Sequence, residues 1–243
     1  MNVPYSSLES PHFPVMLEEI IKACSPDKGG NFVDCTFGGG SYSQALLKFP
    51  NTKVVALYRD ISVLEKAKKI AEKNSKRFLF YNEKFSDLDK VLEGKDKADT
   101  IIFDLGISSL QLMDLSRGFS FISKDRIDMT MGLSPTSAEE VLNNFDENSL
   151  KLIIKILGEE KEATKITKNI LKARKIKKIS KIPELVEIIK RSKKKNFLKK
   201  IKKNPPSRSA KLRFATRNEN NFKDPKILKE KFKRYLDLES LNV

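Results

Sequence analysis

The chain has 243 residues, 48 of them Lys or Arg against 32 Asp or Glu, and a formal net charge of +16. One histidine, two cysteines and no tryptophan leave no set of side chains for a Cys/His zinc centre, a disulfide framework or a Ser-His-Asp triad. No metal is therefore expected, and chemistry must run on carboxylates, backbone amides or a cofactor. No apolar run approaches the roughly 18–20 residues that span a bilayer, and the first residues lack the basic-then-apolar pattern of a signal peptide. A cytoplasmic protein with no membrane contact is expected.

Residues 15–23 place apolar side chains at 16, 17, 20 and 21, a helical spacing. Residues 31–37 read as a short buried strand that runs into Gly38-Gly39-Gly40-Ser41, and residues 42–49 as the helix after it. A strand at 53–57, a helix at 62–73, a strand at 77–81, a short helix at 88–92 and a strand at 100–105 follow. Strands alternating with helices at this spacing predict a parallel α/β sheet. The alternation stops there. Residues 135–173 read as helical, 183–190 as a second helix with Pro183 in its first turn, and 226–238 as a last amphipathic helix.

Charge divides the chain as well. Residues 1–150 carry 18 basic and 22 acidic side chains, whereas residues 151–213 carry 23 and five. The excess in one segment is the footprint of a polyanion binder; a solvated lysine-rich surface has the same composition. The run at 193–203 is the densest part of it.

Three places carry candidate chemistry. At Asp34-Cys35-Thr36-Phe37-Gly38-Gly39-Gly40 a strand meets a glycine turn, where a ligand can approach the backbone and the next helix offers free N–H groups. The acid in that strand suits a ligand with a cationic head; a tight turn that binds nothing is the alternative. The second strand ends in Leu57-Tyr58-Arg59-Asp60, where nucleotide-binding sheets often place an acid for the ribose hydroxyls. Here Tyr58 stands nearest that position, and Asp60 either lies beyond it or caps the following helix. The fourth strand delivers Asp104 at the carboxyl end of the sheet, followed by Ser108, Ser109 and Gln111.

These stretches carry a resemblance. His12-Phe13-Pro14-Val15-Met16, Val33 to Gly40, Arg59-Asp60, Phe85-Ser86, Asp104-Leu105-Gly106-Ile107-Ser108-Ser109-Leu110-Gln111, Arg117 to Phe121, Asp128-Met129, Gly158-Glu159-Glu160 and Ser207 to Arg213 stand in the order found in the RsmH (MraW) family. That family methylates the exocyclic N4 amine of a cytidine in small-subunit (16S-type) ribosomal RNA.

The resemblance implies an α/β fold: a class I (Rossmann-like) S-adenosylmethionine methyltransferase sheet with an inserted helical domain that helps to hold RNA. It implies S-adenosylmethionine as cofactor and small-subunit ribosomal RNA as partner. A homodimer is one expected assembly, apart from the resemblance. The family's cofactor contacts fall on Gly40, Ser41, Tyr42, Tyr58, Phe85, Asp104 and Gln111; no catalytic residue is assigned. Ser41 and Tyr42 stand where the family usually has Gly-His, and Tyr58 where it has Asp. The family's His-Pro-Ala-Thr-Arg-like stretch and its Ser-Phe-His-Ser-Leu-Glu-Asp-Arg segment do not occur. An internal deletion explains this, leaving an incomplete sheet with its fourth strand at an edge.

The expected organisation is an S-adenosylmethionine-binding domain at 1–110, a basic helical insertion at 111–203 and a C-terminal basic tail and helix at 204–243. The expected function is methyl transfer to cytidine N4 in ribosomal RNA. The alternatives are a non-catalytic RNA-binding relative and a non-functional truncated product.

Overall fold

A computed structural model describes residues 16–134 and 136–193. They form two compact units: the second begins at Gln111, and Met131–Leu133 return to the first. Expectations placed on His12, on the basic run after Lys193, on the motif at 207–213 and on the helix at 226–238 lie outside the described residues.

Among the described residues the first unit is built on a four-stranded, all-parallel sheet of order β3-β2-β1-β4. Its strands are β1 (Gly30–Asp34), β2 (Thr52–Leu57), β3 (Phe78–Tyr81) and β4 (Thr100–Ile102). The helices between them are α1 (Leu17–Cys24), α2 (Ser41–Leu47), α3 (Leu64–Lys73) and α4 (Leu88–Leu92). Successive strand residues point to opposite faces, and the core divides accordingly. Phe32, Val54, Ala56, Tyr58, Phe78 and Ile102 pack on one face against Leu46, Leu47, Ala67 and Ile70, with Leu17, Ile20 and Ile21 of α1. Val33, Cys35 and Leu57 pack on the other against Val91, Leu88 and Leu92 of α4. Residues buried on both faces explain why β1 and β2 read as nearly continuous apolar runs.

One cation ties the lower end of the unit together. The Arg77 guanidinium donates to the carbonyls of Leu47 (3.1 Å), Phe49 (2.9 Å) and Thr52 (3.3 Å). The Leu47 carbonyl ends α2, where such groups would otherwise lack a partner, and Phe49 lies two residues beyond it.

Two strands are shorter than the sequence predicts, for one reason. β1 stops at Asp34 because its carboxylate accepts the Thr36 N–H at 3.2 Å and turns the chain. β4 stops at Ile102 because the Asp104 N–H is donated to the Thr36 hydroxyl (2.7 Å) rather than to a neighbouring strand. The last rung of the ladder is Cys35 N–H to Ile102 C=O at 3.0 Å. Among the described residues β4 pairs with β1 alone, at one edge of the sheet.

The division between the units falls within α5 (Ser109–Met113). The second unit is helical, with one antiparallel bridge between Arg126 and Lys181. The expected helix at 135–173 is instead three: α6 (Ala138–Asn144), α7 (Glu147–Leu152), which passes into a π-turn at Ile153–Leu157, and α8 (Ala163–Ile176). Asp146 makes the first break. Its Oδ1 accepts the N–H groups of Asn148 (2.8 Å) and Ser149 (3.1 Å), a cap that starts α7 anew. Gly158 ends the π-turn. The last helix among the described residues, α9 (Ile182–Ser192), carries Pro183 in its first turn.

Ile127, Leu142, Leu150, Ile166, Ile170, Ile179 and Ile182 form the core of this unit. Buried charge is paired within it. Glu139 meets Arg126 at 3.3 Å and Lys178 at 2.7 Å. These cations, led by Lys178, hold its carboxyl below the usual glutamate range.

Candidate active site

The candidate site gathers at the carboxyl ends of β1 and β4, where parallel sheets bind ligands. Asp34 ends β1 with no exposed surface. Its Oδ1 accepts the Thr36 N–H and its Oδ2 the Ser43 hydroxyl at 2.7 Å. Burial is the main cause that pushes its carboxyl up to about 6, against the opposing pull of those hydrogen bonds. The expectation that this acid meets a cationic ligand is therefore corrected: both oxygens face inward and hold the turn to α2. Ser43 is the partner that sequence reasoning missed; its place one helical turn after the glycines was the available signal.

Asp104 is different. It is exposed, and its carboxylate accepts the Tyr42 hydroxyl at 3.3 Å while its backbone N–H is held by Thr36. The Tyr42 phenol is pushed well above its ordinary pKa, by burial first and then by Asp104, so it stays protonated and donates. Thr36, Tyr42 and Asp104 thus lock β4's end to the turn after β1. One carboxylate is left on the surface beside it.

The three glycines have different roles. A Cβ at Gly39 would approach nothing closer than the Lys66 Nζ at 3.7 Å, and one at Gly38 nothing closer than the Thr36 carbonyl at 3.6 Å. A Cβ fits at both positions without a clash, but Gly38 is buried; Gly39 is the glycine whose backbone is partly exposed to a ligand approaching the chain. Gly40 sits at φ +72°, and a Cβ there would lie 2.7 Å from the Phe37 ring. Gly40 is therefore required by packing, and Ser41 follows it as the first residue of α2.

The other expected contacts are scattered. Tyr58 is 8% exposed and packs in the apolar cluster beneath the sheet. Its carbonyl accepts the Asn82 side-chain N–H at 2.8 Å. Arg59 and Asp60 are structural. The Arg59 Nε donates to the Met131 carbonyl (3.3 Å), and Asp60 Oδ1 accepts the Ser62 N–H (3.1 Å) at the turn into α3. Phe85 is half-exposed and meets Phe103 edge to face, with ring centroids 5.7 Å apart. Gln111 belongs to the second unit and is buried. Among the described residues no group of three His, Cys, Asp or Glu side chains is placed to hold a metal, and no helix is long and apolar enough to cross a membrane.

A strand–glycine turn–helix closed against an acid at the end of the neighbouring strand narrows the family, and the sequence match decides it. Residues 9–201 match the family model described as the MraW methylase family. The chain belongs to the MraW methylase family.

Relatives within this family are named ribosomal RNA small subunit methyltransferase H. The protein of Zymomonas mobilis is 37% identical over 170 residues, 69% of this chain and 51% of the relative. That of Rickettsia bellii strain OSU 85-389 is 41% identical over 167 residues (69% and 54%), and that of Orientia tsutsugamushi strain Ikeda 40% over 163 residues (67% and 52%). The chain spans about half the length of these curated relatives. Its parallel sheet with flanking helices is that of a Rossmann-like methyltransferase, and membership of the family accounts for the order of the motifs from Val33 to Glu160.

One expected phosphate contact needs correction. Lys193 forms an ion pair with Glu160 in the MraW-type Gly158-Glu159-Glu160 motif. With side-chain exposures of 10% and 21%, the pair is part of the second unit's architecture rather than a solvated arm.

Proposed function

We propose that the chain is an S-adenosylmethionine-dependent methyltransferase acting on the N4 amine of a cytidine in small-subunit ribosomal RNA, and that it works in the cytoplasm. The observation that carries this reading is the partly exposed backbone at Gly39, in the turn after β1, with the surface carboxylate of Asp104 after β4, at the ends of two adjacent parallel strands. Backbone amides and a carboxylate suit a ligand that bears both an anionic and a cationic group. Within the first unit, the residues that would hold the cofactor are Gly39, Gly40 and Ser41 through the backbone, with Tyr42, Phe85 and Asp104. The bound cofactor supplies an electrophilic methyl group.

The protein's own contribution is positioning. The cytosine amine is a weak nucleophile because its lone pair is delocalised into the ring, so fixing its approach is worth more than activating it. Asp104, held by Thr36 and Tyr42, keeps acceptor capacity for an N–H and is restrained from swinging away. The exposed Phe85–Phe103 pair offers an aromatic surface for a base. Such a base must be unstacked first, which favours loop or single-stranded RNA.

A second reading, an RNA-binding relative without methyl transfer, is favoured by Tyr58, which replaces a ribose-binding carboxylate with a side chain packed in the core. The two readings part in one assay. Under the first, the full chain transfers a radiolabelled methyl group from S-adenosylmethionine to unmodified small-subunit ribosomal RNA, and digestion gives labelled N4-methylcytidine. Retention of RNA without any transferred label would overturn the first reading.

A further inference from the structure

Helix α8 presents a row of lysines that takes part in no ion pair among the described residues. Lys165, Lys168, Lys172 and Lys175 are all exposed and recur at intervals of three, four and three residues. At about 100° per residue they lie within an arc of roughly 80°, in a row about 15 Å long. Ala163, Ile166, Thr167 and Ile170 face the opposite way and are buried.

The row is not explained by helix stability. Some lysines elsewhere in this unit are neutralised: Lys177 meets Glu184 at 2.8 Å, Lys178 meets Glu139 at 2.7 Å and Lys190 meets Glu187 at 2.9 Å, whereas on α8 none of the four in the row is. Helix α8 has no acidic residue within its length, and none of the four lysines has an ion-pair partner among the described residues. Like charges three and four residues apart weaken a helix. A row of four such charges on one helix face offers a surface to an anionic partner.

We propose that this row is a binding surface for the phosphate backbone of RNA, with the four lysines lying along successive phosphates of one strand. The proposal rests on the RNA-substrate reading above and assigns it a surface. The row is about 15 Å long, enough to face a few consecutive phosphates of one strand. A membrane surface fits less well. Apart from Ile176 at the helix end, the apolar residues of α8 are turned into the core, leaving little to enter a bilayer.

The test compares the full chain with a variant carrying Lys165→Gln, Lys168→Gln, Lys172→Gln and Lys175→Gln. Glutamine keeps the helix propensity and removes only charge. A control carries Lys22→Gln, Lys48→Gln, Lys69→Gln and Lys73→Gln, four exposed lysines of the first unit. Binding of a fluorescein-labelled single-stranded oligocytidine is followed across a salt series. Each lost phosphate contact lowers the log–log salt slope by about 0.7, so the α8 variant should lose nearly 3 of slope and about 100-fold or more in affinity at 0.1 M salt. The control should lose little, and a fourfold Lys→Arg variant of α8 should bind as the unaltered chain does. Unchanged affinity and slope in the α8 variant, with tight binding by the unaltered chain, would overturn the surface and leave the RNA reading standing. Failure of the unaltered chain to bind RNA would overturn both. Lysine-dependent binding to anionic phospholipid vesicles in place of RNA would overturn the proposal in favour of a membrane.

Discussion

Asp34→Asn is expected to make the protein more stable than the unaltered chain at about pH 8, with the advantage disappearing near pH 4. Asp34 has no exposed surface, and burial raises its carboxyl to about 6. The ordinary aspartate value is about 3.9. A folded-state pKa above the unfolded value means that the folded protein holds the proton more firmly. The stability contributed by the protonated acid is therefore complete below about pH 4 and is lost as the pH rises through about 6. The difference corresponds to about 3 kcal/mol. The substituted amide's oxygen can still accept the Thr36 N–H and its nitrogen can donate to the Ser43 hydroxyl, while the Ser43 backbone N–H that Asp34 also accepts loses its acceptor, which offsets part of the gain. Urea denaturation of both proteins from about pH 4 to pH 8 measures the difference directly. A constant difference across that range, or a more stable aspartate at pH 8, would contradict the assigned burial. Because Asp34 faces inward, the same substitution should leave cofactor affinity within a few-fold.

The second large effect concerns the sheet edge. β4 pairs with β1 alone among the described residues, and Ile101, Phe103, Leu105 and Ile107 follow along it between 44% and 72% exposed. Unpaired strand edges lined with apolar side chains template further association. The isolated chain is expected to self-associate at micromolar concentrations, and Ile101→Lys with Leu105→Lys to convert it to a monomer without lowering its melting temperature. Sedimentation velocity reads both states. A monomeric unaltered chain at the same concentrations would show that the edge is covered.

Much of the α/β half could be read in the sequence because its signals are local. Short apolar runs mark β1 to β4, and the glycine turn stands where the first of them ends. What stayed hidden depends on partners distant in sequence. The Thr36 hydroxyl ends β4 by taking the Asp104 N–H from 68 residues away. Lys193 looked like the start of a basic arm until it met Glu160, 33 residues earlier. Tyr58 ends a strand where alternation points toward a ligand, yet its ring fills the core beneath. Asp146 carried a local signal, a capping residue inside an apolar helical pattern, and the longer periodicity obscured it. The α8 row was likewise present as spacing, concealed by the abundance of lysine around it.

The central claim is that the turn after β1 holds the cofactor through its backbone, and calorimetric titration of the chain with S-adenosylmethionine tests it most directly when paired with Gly39→Ala. A Cβ at Gly39 meets nothing closer than ordinary van der Waals contact within the protein, so the variant should fold and melt as the unaltered chain does, or slightly higher. The added methyl group would occupy the space through which the ligand reaches the backbone. The account predicts one binding site on the unaltered chain and at least a tenfold loss of affinity in the variant. No heat of binding from the unaltered chain, or equal affinity in the two, would contradict it.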